Sequence, residues 1–174
     1  MSDLRTSIVL LVGPKGAGKT TIGALLAREL QVAFLRVEPI YLRTIHAHPD
    51  LPQTELEPLG FGAILAAVDD LARTSRVVCF ESTGTAGYFP EFLRRLRARY
   101  RVYLIRVFAP LEECRWRVLH RDATNHIPVS DDRLQEINRR AAGVMLAWDL
   151  EIDNSGTDNE RAIVDAVAGL VCGA

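Results

Sequence analysis

The sequence predicts an α/β domain of three layers, with helices on both faces of a parallel β-sheet. Three observations carry this. Short apolar runs rich in Val, Ile and Leu alternate five times with stretches of helical periodicity. Each apolar run is too short for a buried helix and is continuous rather than alternating, as in strands buried on both faces. The break between the first run and the first helical stretch is glycine-rich, a tight strand-to-helix turn. The 174 residues suffice for one domain with its own core, and I-L-V-rich composition with 48% hydrophobic and 25% charged residues is that of a globular chain. We read residues 1–174 as a single domain without internal repeats.

Ser7–Val12 is the first strand. After the glycine-rich turn, Thr21–Leu30 sets apolar side chains at 22, 25, 26 and 30 on one helical face. Val32–Val37 reads as a second strand stopped at Glu38-Pro39, and a short helix is expected over Ile40–Ala47. Residues 46–58 are polar and contain Pro49, Pro52 and Pro58, which predicts a loop. Leu59–Thr74 then carries apolar residues at 61, 64, 65, 68 and 71, a helical stripe. Arg76–Glu81 is a third buried strand, followed by the turn Ser82-Thr83-Gly84-Thr85. Phe89–Arg99 is an amphipathic helix with a basic outer face, and Arg101–Phe108 is a fourth strand ended by Ala109-Pro110. Leu111–Arg121 is helical and residues 122–130 form a polar loop. A helix over 132–148 is expected, capped by Ser130 or Asp131. Leu150–Asp153 is a short fifth strand, and Asn154-Ser155-Gly156 turns into a last helix that Thr157 or Asp158 would cap.

In such sheets ligands bind outside the carboxyl ends of the strands. The first strand end carries Gly13-Pro14-Lys15-Gly16-Ala17-Gly18-Lys19-Thr20, which fits G-x-x-x-x-G-K-[ST], the phosphate-binding P-loop. Gly13, Gly16 and Gly18 let the backbone bend tightly and approach a phosphate closely. The N–H groups of Pro14's neighbours, Lys15 to Thr21, then form an anion nest at the positive end of a helix. Lys19 is placed to reach the β- and γ-phosphates, and the Thr20 hydroxyl to hold Mg²⁺.

Other strand ends supply carboxylates. Glu38 and Glu81 end the second and third strands, the two expected beside the first. One role is general base toward an acceptor hydroxyl, and another is orientation of the Mg²⁺ water shell. Glu81, directly after an apolar strand, reads as the metal-side group and Glu38 as the substrate-side one; which of them is the base stays open. Arg117 and Arg121 are four apart and share a helical face leading into the loop 122–130. Guanidinium groups there can neutralise a transferring phosphoryl group or stack on a base. Arg115, Arg133, Arg139 and Arg140 repeat the theme weakly. Ser82–Thr85 reads equally as an acceptor contact or an ordinary turn. His46 and His48 read as surface loop residues, and Arg43 as a contact to an anionic acceptor or a solvated helix residue. The run Arg94-Arg95-Leu96-Arg97-Ala98-Arg99 lacks the interleaved aromatics of single-strand binders and reads as a solvated face.

The formal net charge of -1 gives no global field for nucleic acid or anionic membrane. No apolar run reaches membrane-spanning length, and residues 1–6 carry no signal-peptide pattern. Cys79, Cys114 and Cys172 are few and widely spaced, which points to reduced thiols in the cytoplasm. A small-molecule partner is expected, with neither membrane nor nucleic acid, in a monomer or homodimer.

Taken together, these features resemble the small P-loop kinases, a superfamily that includes nucleoside monophosphate, shikimate and gluconate kinases and antibiotic phosphotransferases. The matching features are residues 13–20, the acidic strand end at Glu81, the Arg117/Arg121 segment leading to a flap, and Asp153-Asn154-Ser155-Gly156 before the last helix. The resemblance implies a P-loop NTPase fold with a five-stranded parallel sheet in order 2-3-1-4-5. It implies a lid at about 120–131, an acceptor-side region at about 38–75, adenine contacts from Asn154 to Gly156, and ATP contacts from Arg117 and Arg121. The subfamily patterns differ from this chain. Shikimate kinases carry paired aspartates on the second strand and a triple glycine after the third, where this chain has Val37-Glu38-Pro39 and Ser82-Thr83-Gly84. Nucleoside monophosphate kinases usually carry arginine after the third-strand acid, where this chain has Ser82. A single acid at the second strand's end is similar to antibiotic phosphotransferases that use one as base. The expected activity is transfer of the γ-phosphoryl group of ATP·Mg²⁺ to a hydroxyl of a small metabolite. The alternatives are a nucleoside or nucleoside monophosphate kinase, and an ATP-binding switch with no acceptor; an RNA-linked kinase would need the 94–101 arginines at the site's mouth. No Asn/Thr-Lys-x-Asp tetrapeptide is present, which favours ATP over GTP.

Overall fold

In the computed structural model, which describes residues 6–121, 126–156 and 160–172, five strands lie parallel in one sheet. In chain order the elements are β1 (Ser7–Val12), α1 (Lys19–Leu30), β2 (Ala33–Leu35), α2 (Glu38–Ala47), α3 (Gln53–Ala72), β3 (Val77–Ser82), α4 (Phe89–Arg99), β4 (Arg101–Phe108), α5 (Leu111–Leu119), α6 (Asp131–Ala142), β5 (Leu150–Asp153) and α7 (Glu160–Cys172). The strand order is β2-β3-β1-β4-β5, as expected, with β1 between β3 and β4.

The three layers follow from the two-residue period of a strand. In β1, Ile8, Leu10 and Val12 face a core built with Val78, Phe80 and Leu104 and covered by α2, α3 and α4. Val9 and Leu11 face the other core, with Cys79, Ile105 and Val107, covered by α1, α5 and α7. Both faces of β1 are therefore buried, which is why its sequence is apolar without alternation. Cys79 and Cys114 are buried free thiols; burial pushes both pKa values up, so neither is a ready nucleophile.

Four expectations need correction. The stretch 53–58 is helix rather than loop, because α3 begins at Gln53 with Pro52 in the cap position. Pro58 lies inside α3, where it supplies no N–H to the helix. The turn before it is pinned from within and from outside: buried Glu57 accepts from Gln53 Nε2 of the same helix at 3.1 Å and from the Tyr88 backbone N–H at 2.9 Å. The second strand is only three residues long, and Glu38 is the first residue of α2 rather than the strand's end. Pro39 sits in the first turn, where a missing N–H has no helical partner to lose. Helix α5 ends at Leu119, so Arg121 lies beyond it and does not share a helical face with Arg117. Helix α6 ends at Ala142 with Gly143 as its cap, not at 148. Val144, Leu146 and Trp148 then pack on the core in a two-residue period while Met145 points out, 82% exposed. Ser130 caps α6, its hydroxyl accepting from the Arg133 N–H at 3.4 Å. Thr157 and Asp158, the expected caps of α7, and residues 122–125 of the polar loop lie outside the described residues.

Candidate active site

The register of the central strands sets the site. Leu11 pairs with Glu81 and Val12 with Ser82, so the glycine-rich loop leaves β1 beside the acidic end of β3. The Gly13 N–H donates to the Ser82 carbonyl at 3.1 Å and closes that edge. Gly16 and Gly18 hold φ values of 86° and 92°, in the left-handed region. A Cβ on Gly16 would lie 2.1 Å from the Cys114 carbonyl oxygen, and one on Gly18 2.1 Å from Asn154 Nδ2. Only glycine meets both the dihedral and the space.

Three side chains from distant elements hold the loop's outer edge. Asn138 on α6, 2% exposed, accepts from the Lys15 N–H at 2.8 Å and donates to the Lys15 carbonyl at 2.9 Å. Asn154, after β5, donates to the Ala17 carbonyl at 2.9 Å. Arg117 on α5 donates to the Gly16 carbonyl at 3.3 Å and the Asn154 carbonyl at 3.0 Å, and pairs with Glu113. With these carbonyls tied outward, the curl is built before any phosphate arrives, a preorganised anion nest.

Within the curl, Lys19 is buried and donates to the carbonyls of Gly13 and Pro14 at 2.8 and 2.6 Å. Burial pulls its pKa down to about 8, against an upward pull from Glu81. The Thr20 hydroxyl lies 2.9 Å from each Glu81 carboxylate oxygen. Opposite stands Glu38. Lys15 Nζ donates to its Oε1 at 2.8 Å, and His126 Nδ1 lies 2.5 Å from its Oε2. Burial opposes the Glu38 charge, but Lys15 and then His126 outweigh it and hold the pKa down at about 2.

These groups share one cavity of about 570 Å³. Lys15, Gly16, Gly18, Lys19, Thr20 and Thr21 line its loop side, and Glu38, Glu81, Arg117 and Arg121 also reach it. Tyr41, Phe61 and Ile64 form an apolar wall. The lining holds the cations Lys15, Lys19, Arg36, Arg117 and Arg121 against the carboxylates Glu38 and Glu81, an excess suited to a polyanion. Gly13, Pro14 and Ala17 lie behind the lining, where their carbonyls accept the bonds described. Asn154 also sits behind the loop, and Gly156 is exposed with open space around it.

Several other expected positions fall elsewhere. Arg43 and His48 line a separate groove between α2 and α3. Arg115 is engaged by Asp131 through two bonds of 2.7 and 2.8 Å, and Arg133 by Glu136 at 2.6 Å. Arg140 donates to the Thr85 carbonyl at 2.8 Å, whereas Ser82 and Thr83 do line the central cavity. Of the basic run on α4, Arg94 and Arg95 pair with Glu91 and Arg99 with Asp69. His126, Arg36 and Asn138 were not singled out from the sequence. Asn138 left a signal, a polar residue on the buried stripe of Leu134 and Ala141. His126 and Arg36 lie in irregular segments where periodicity says nothing.

With this geometry in hand, the chain can be compared with known proteins. The sequence pattern of the family described as Zeta toxin matches residues 1–145. No curated protein matches the chain in sequence. Among solved structures, a Chloroflexus aurantiacus protein described as a kinase is 19% identical with a TM-score of 0.71, covering 97% of each chain. Shikimate kinase from Bacteroides thetaiotaomicron is 16% identical with a TM-score of 0.68, covering 95% of this chain and 98% of its own. The tunicamycin resistance protein of Deinococcus radiodurans is 19% identical with a TM-score of 0.66, covering 95% of this chain and 96% of its own. At these identities the likeness establishes the fold, that of P-loop kinases.

Proposed function

Since this chain belongs to the Zeta toxin family, we propose that it is an ATP-dependent phosphotransferase, a kinase that moves the γ-phosphoryl group to a hydroxyl of a small molecule. One observation carries the reading: the phosphate cradle and a second, acidic and apolar wall face each other across a single cavity. A nucleotide switch needs the cradle alone, whereas a kinase needs room for a second substrate in line with the terminal phosphate.

The roles follow from position. The N–H groups of Gly16 and of Gly18 to Thr21 and the Lys19 ammonium receive the triphosphate, the N–H groups of Lys15 and Ala17 being held by Asn138 and the Pro14 carbonyl. Arg117 and Arg121 neutralise charge on the transferring group. Asn154 acts on the nucleotide through the loop it braces, with Gly156 beside it on the adenine side. The Thr20 hydroxyl and Glu81, hard oxygen donors 2.9 Å apart, fit Mg²⁺, an ion that keeps several waters and needs few protein ligands. Bound there, Mg²⁺ would screen the charge of the β- and γ-phosphates. Glu38, on the side away from Glu81, belongs to the acceptor. The region 38–75 bounds the acceptor space, and Arg121, His126 and Ile127 close its far side, which would exclude water and limit hydrolysis. We place the protein in the cytoplasm as one domain over residues 1–174.

Tyr41 and Phe61 favour an acceptor with a ring face over a bare polyol, since aromatic walls reward flat apolar surface. That observation keeps a nucleoside or nucleoside monophosphate as a second reading. The test is ADP formation from MgATP with shikimate, gluconate, nucleosides, nucleoside monophosphates and tunicamycin, each against no acceptor. At least one acceptor is expected to raise the rate, and Lys19→Ala to abolish the increase. Slow hydrolysis indifferent to every acceptor supports the switch instead, and Lys19→Ala turning over ATP normally would falsify the nucleotide assignment.

A further inference from the structure

His126 lines the cavity with Lys19 and Thr20, and Nδ1 is committed to Glu38. Glu38 is ionised and can only accept, so Nδ1 carries the hydrogen and Nε2 is left with its lone pair. The same carboxylate is held at its other oxygen by Lys15. His126 and Glu38 are each less than one-fifth exposed, so the pair is shielded and its geometry is restrained. A base that lines the same cavity as the P-loop lysine and is fixed in one tautomer by a carboxylate is the arrangement used for proton abstraction from hydroxyls.

We propose that His126 Nε2, oriented by Glu38, takes the proton of the acceptor hydroxyl. This rests on the phosphotransferase reading and replaces Glu38 as the atom that receives the proton. Glu38 is poorly suited to receive it directly. Both of its oxygens already hold donors, and the Lys15 ammonium and His126 hold its carboxyl well below the usual carboxylate range, which makes it a weak base. In the step, a lone pair of the acceptor oxygen forms the new O–P bond. The bond from the γ-phosphorus to the β,γ-bridging oxygen breaks, and ADP leaves with that electron pair. The hydroxyl proton moves to Nε2, and the resulting imidazolium is balanced by the Glu38 carboxylate until solvent removes the proton. Lys15 keeps Glu38 ionised for that purpose.

Two measurements test this. The first needs no acceptor: long-range ¹H–¹⁵N correlation spectra of the protein labelled at its four histidines, with His126 assigned through His126→Gln. Neutral His126 is expected as the Nδ1–H form, and the Nε2–H form overturns the proposal. The second is ADP formation from MgATP with the fastest acceptor of the panel above, or with water if none is faster. His126→Gln is expected to lower kcat by roughly 10²–10⁴-fold, to leave KM for ATP within about threefold, and to remove the acid limb of the kcat–pH profile. Glu38→Gln is expected to lower kcat less and to keep an acid limb. The limb is read against the other titratable groups facing the cavity, Lys15, Lys19, Tyr41 and Glu81, with Arg117 and Arg121 charged throughout. If Lys19→Ala abolishes activity while His126→Gln retains it, the proton assignment fails and the kinase reading stands. If Lys19→Ala leaves wild-type turnover intact, the kinase reading itself fails.

Discussion

Lys19 is a cation taken out of water, and its energetics are legible in its surroundings. Two backbone carbonyls at 2.8 and 2.6 Å take two of its three hydrogens, yet burial still pulls its pKa from 10.5 to about 8. The unfolded chain therefore binds a proton more tightly than the folded one. That penalty is fully present below pH 8 and is relieved as pH rises toward 10.5. Relative to Lys19→Met, the wild-type protein is expected to gain stability between pH 8 and 10.5, on the order of 3 kcal/mol at full relief. Urea midpoints of both proteins at pH 7, 8.5 and 10 measure it, and a difference that stays flat across that range contradicts the burial of the charge. At this scale the P-loop lysine, threonine and glycines were legible because their roles follow from spacing within eight residues. The partner of Glu38 was not. No local pattern ties His126 to it, because the pair is 88 residues apart.

Between elements, the loop depends on α6 through one side chain. Asn138 answers both the N–H and the carbonyl of Lys15, and nothing else among the described contacts bonds that N–H. Asn138→Ala leaves two half-buried backbone groups without their partner. A loss of about 1–3 kcal/mol of stability is expected, with weaker nucleotide binding because the loop's curl is no longer held. Denaturant unfolding gives the first and titration with a fluorescent ATP analogue the second; a variant unchanged in affinity removes α6 from any role at the site. Element existence was largely readable, and α4, β1, β4 and β5 match their expected bounds. The misreadings share one cause. Prolines at 52 and 58 and polar residues between them spell a loop, but the long-range bond that Glu57 accepts from the Tyr88 N–H makes helix the better solution. Likewise 144–148 continues a helical composition but is drawn into an extended path by the core beneath Trp148.

Across the whole molecule, the two cores lie on opposite faces of the sheet, and the site sits at the end of it where the strands finish. A ligand that bridges the loop, Arg117 and the α2 side joins elements on both faces, so its binding energy adds to global stability. At a hundredfold excess over Kd, MgATP is expected to add about 2.7 kcal/mol, a rise in Tm of roughly 5–10 °C for a chain of this size. Lys19→Ala is expected to lose most of that rise, and excess EDTA to reduce it in the wild-type protein. Thermal melts with and without nucleotide decide it, and no shift at millimolar MgATP would refute the cradle as a nucleotide site.

By itself the amino-acid sequence determined the α/β alternation, the five strands and the strand–loop–helix cradle, because each is written in periodicity or spacing over a few turns of chain. The tertiary structure alone decided what stands across from that cradle. Lys15 meets Glu38 over 23 residues and Asn138 over 123, and Glu38 meets His126 over 88. Such pairs are set by how layers pack on a twisted sheet, and packing brings them together without leaving a repeating trace in the order of residues.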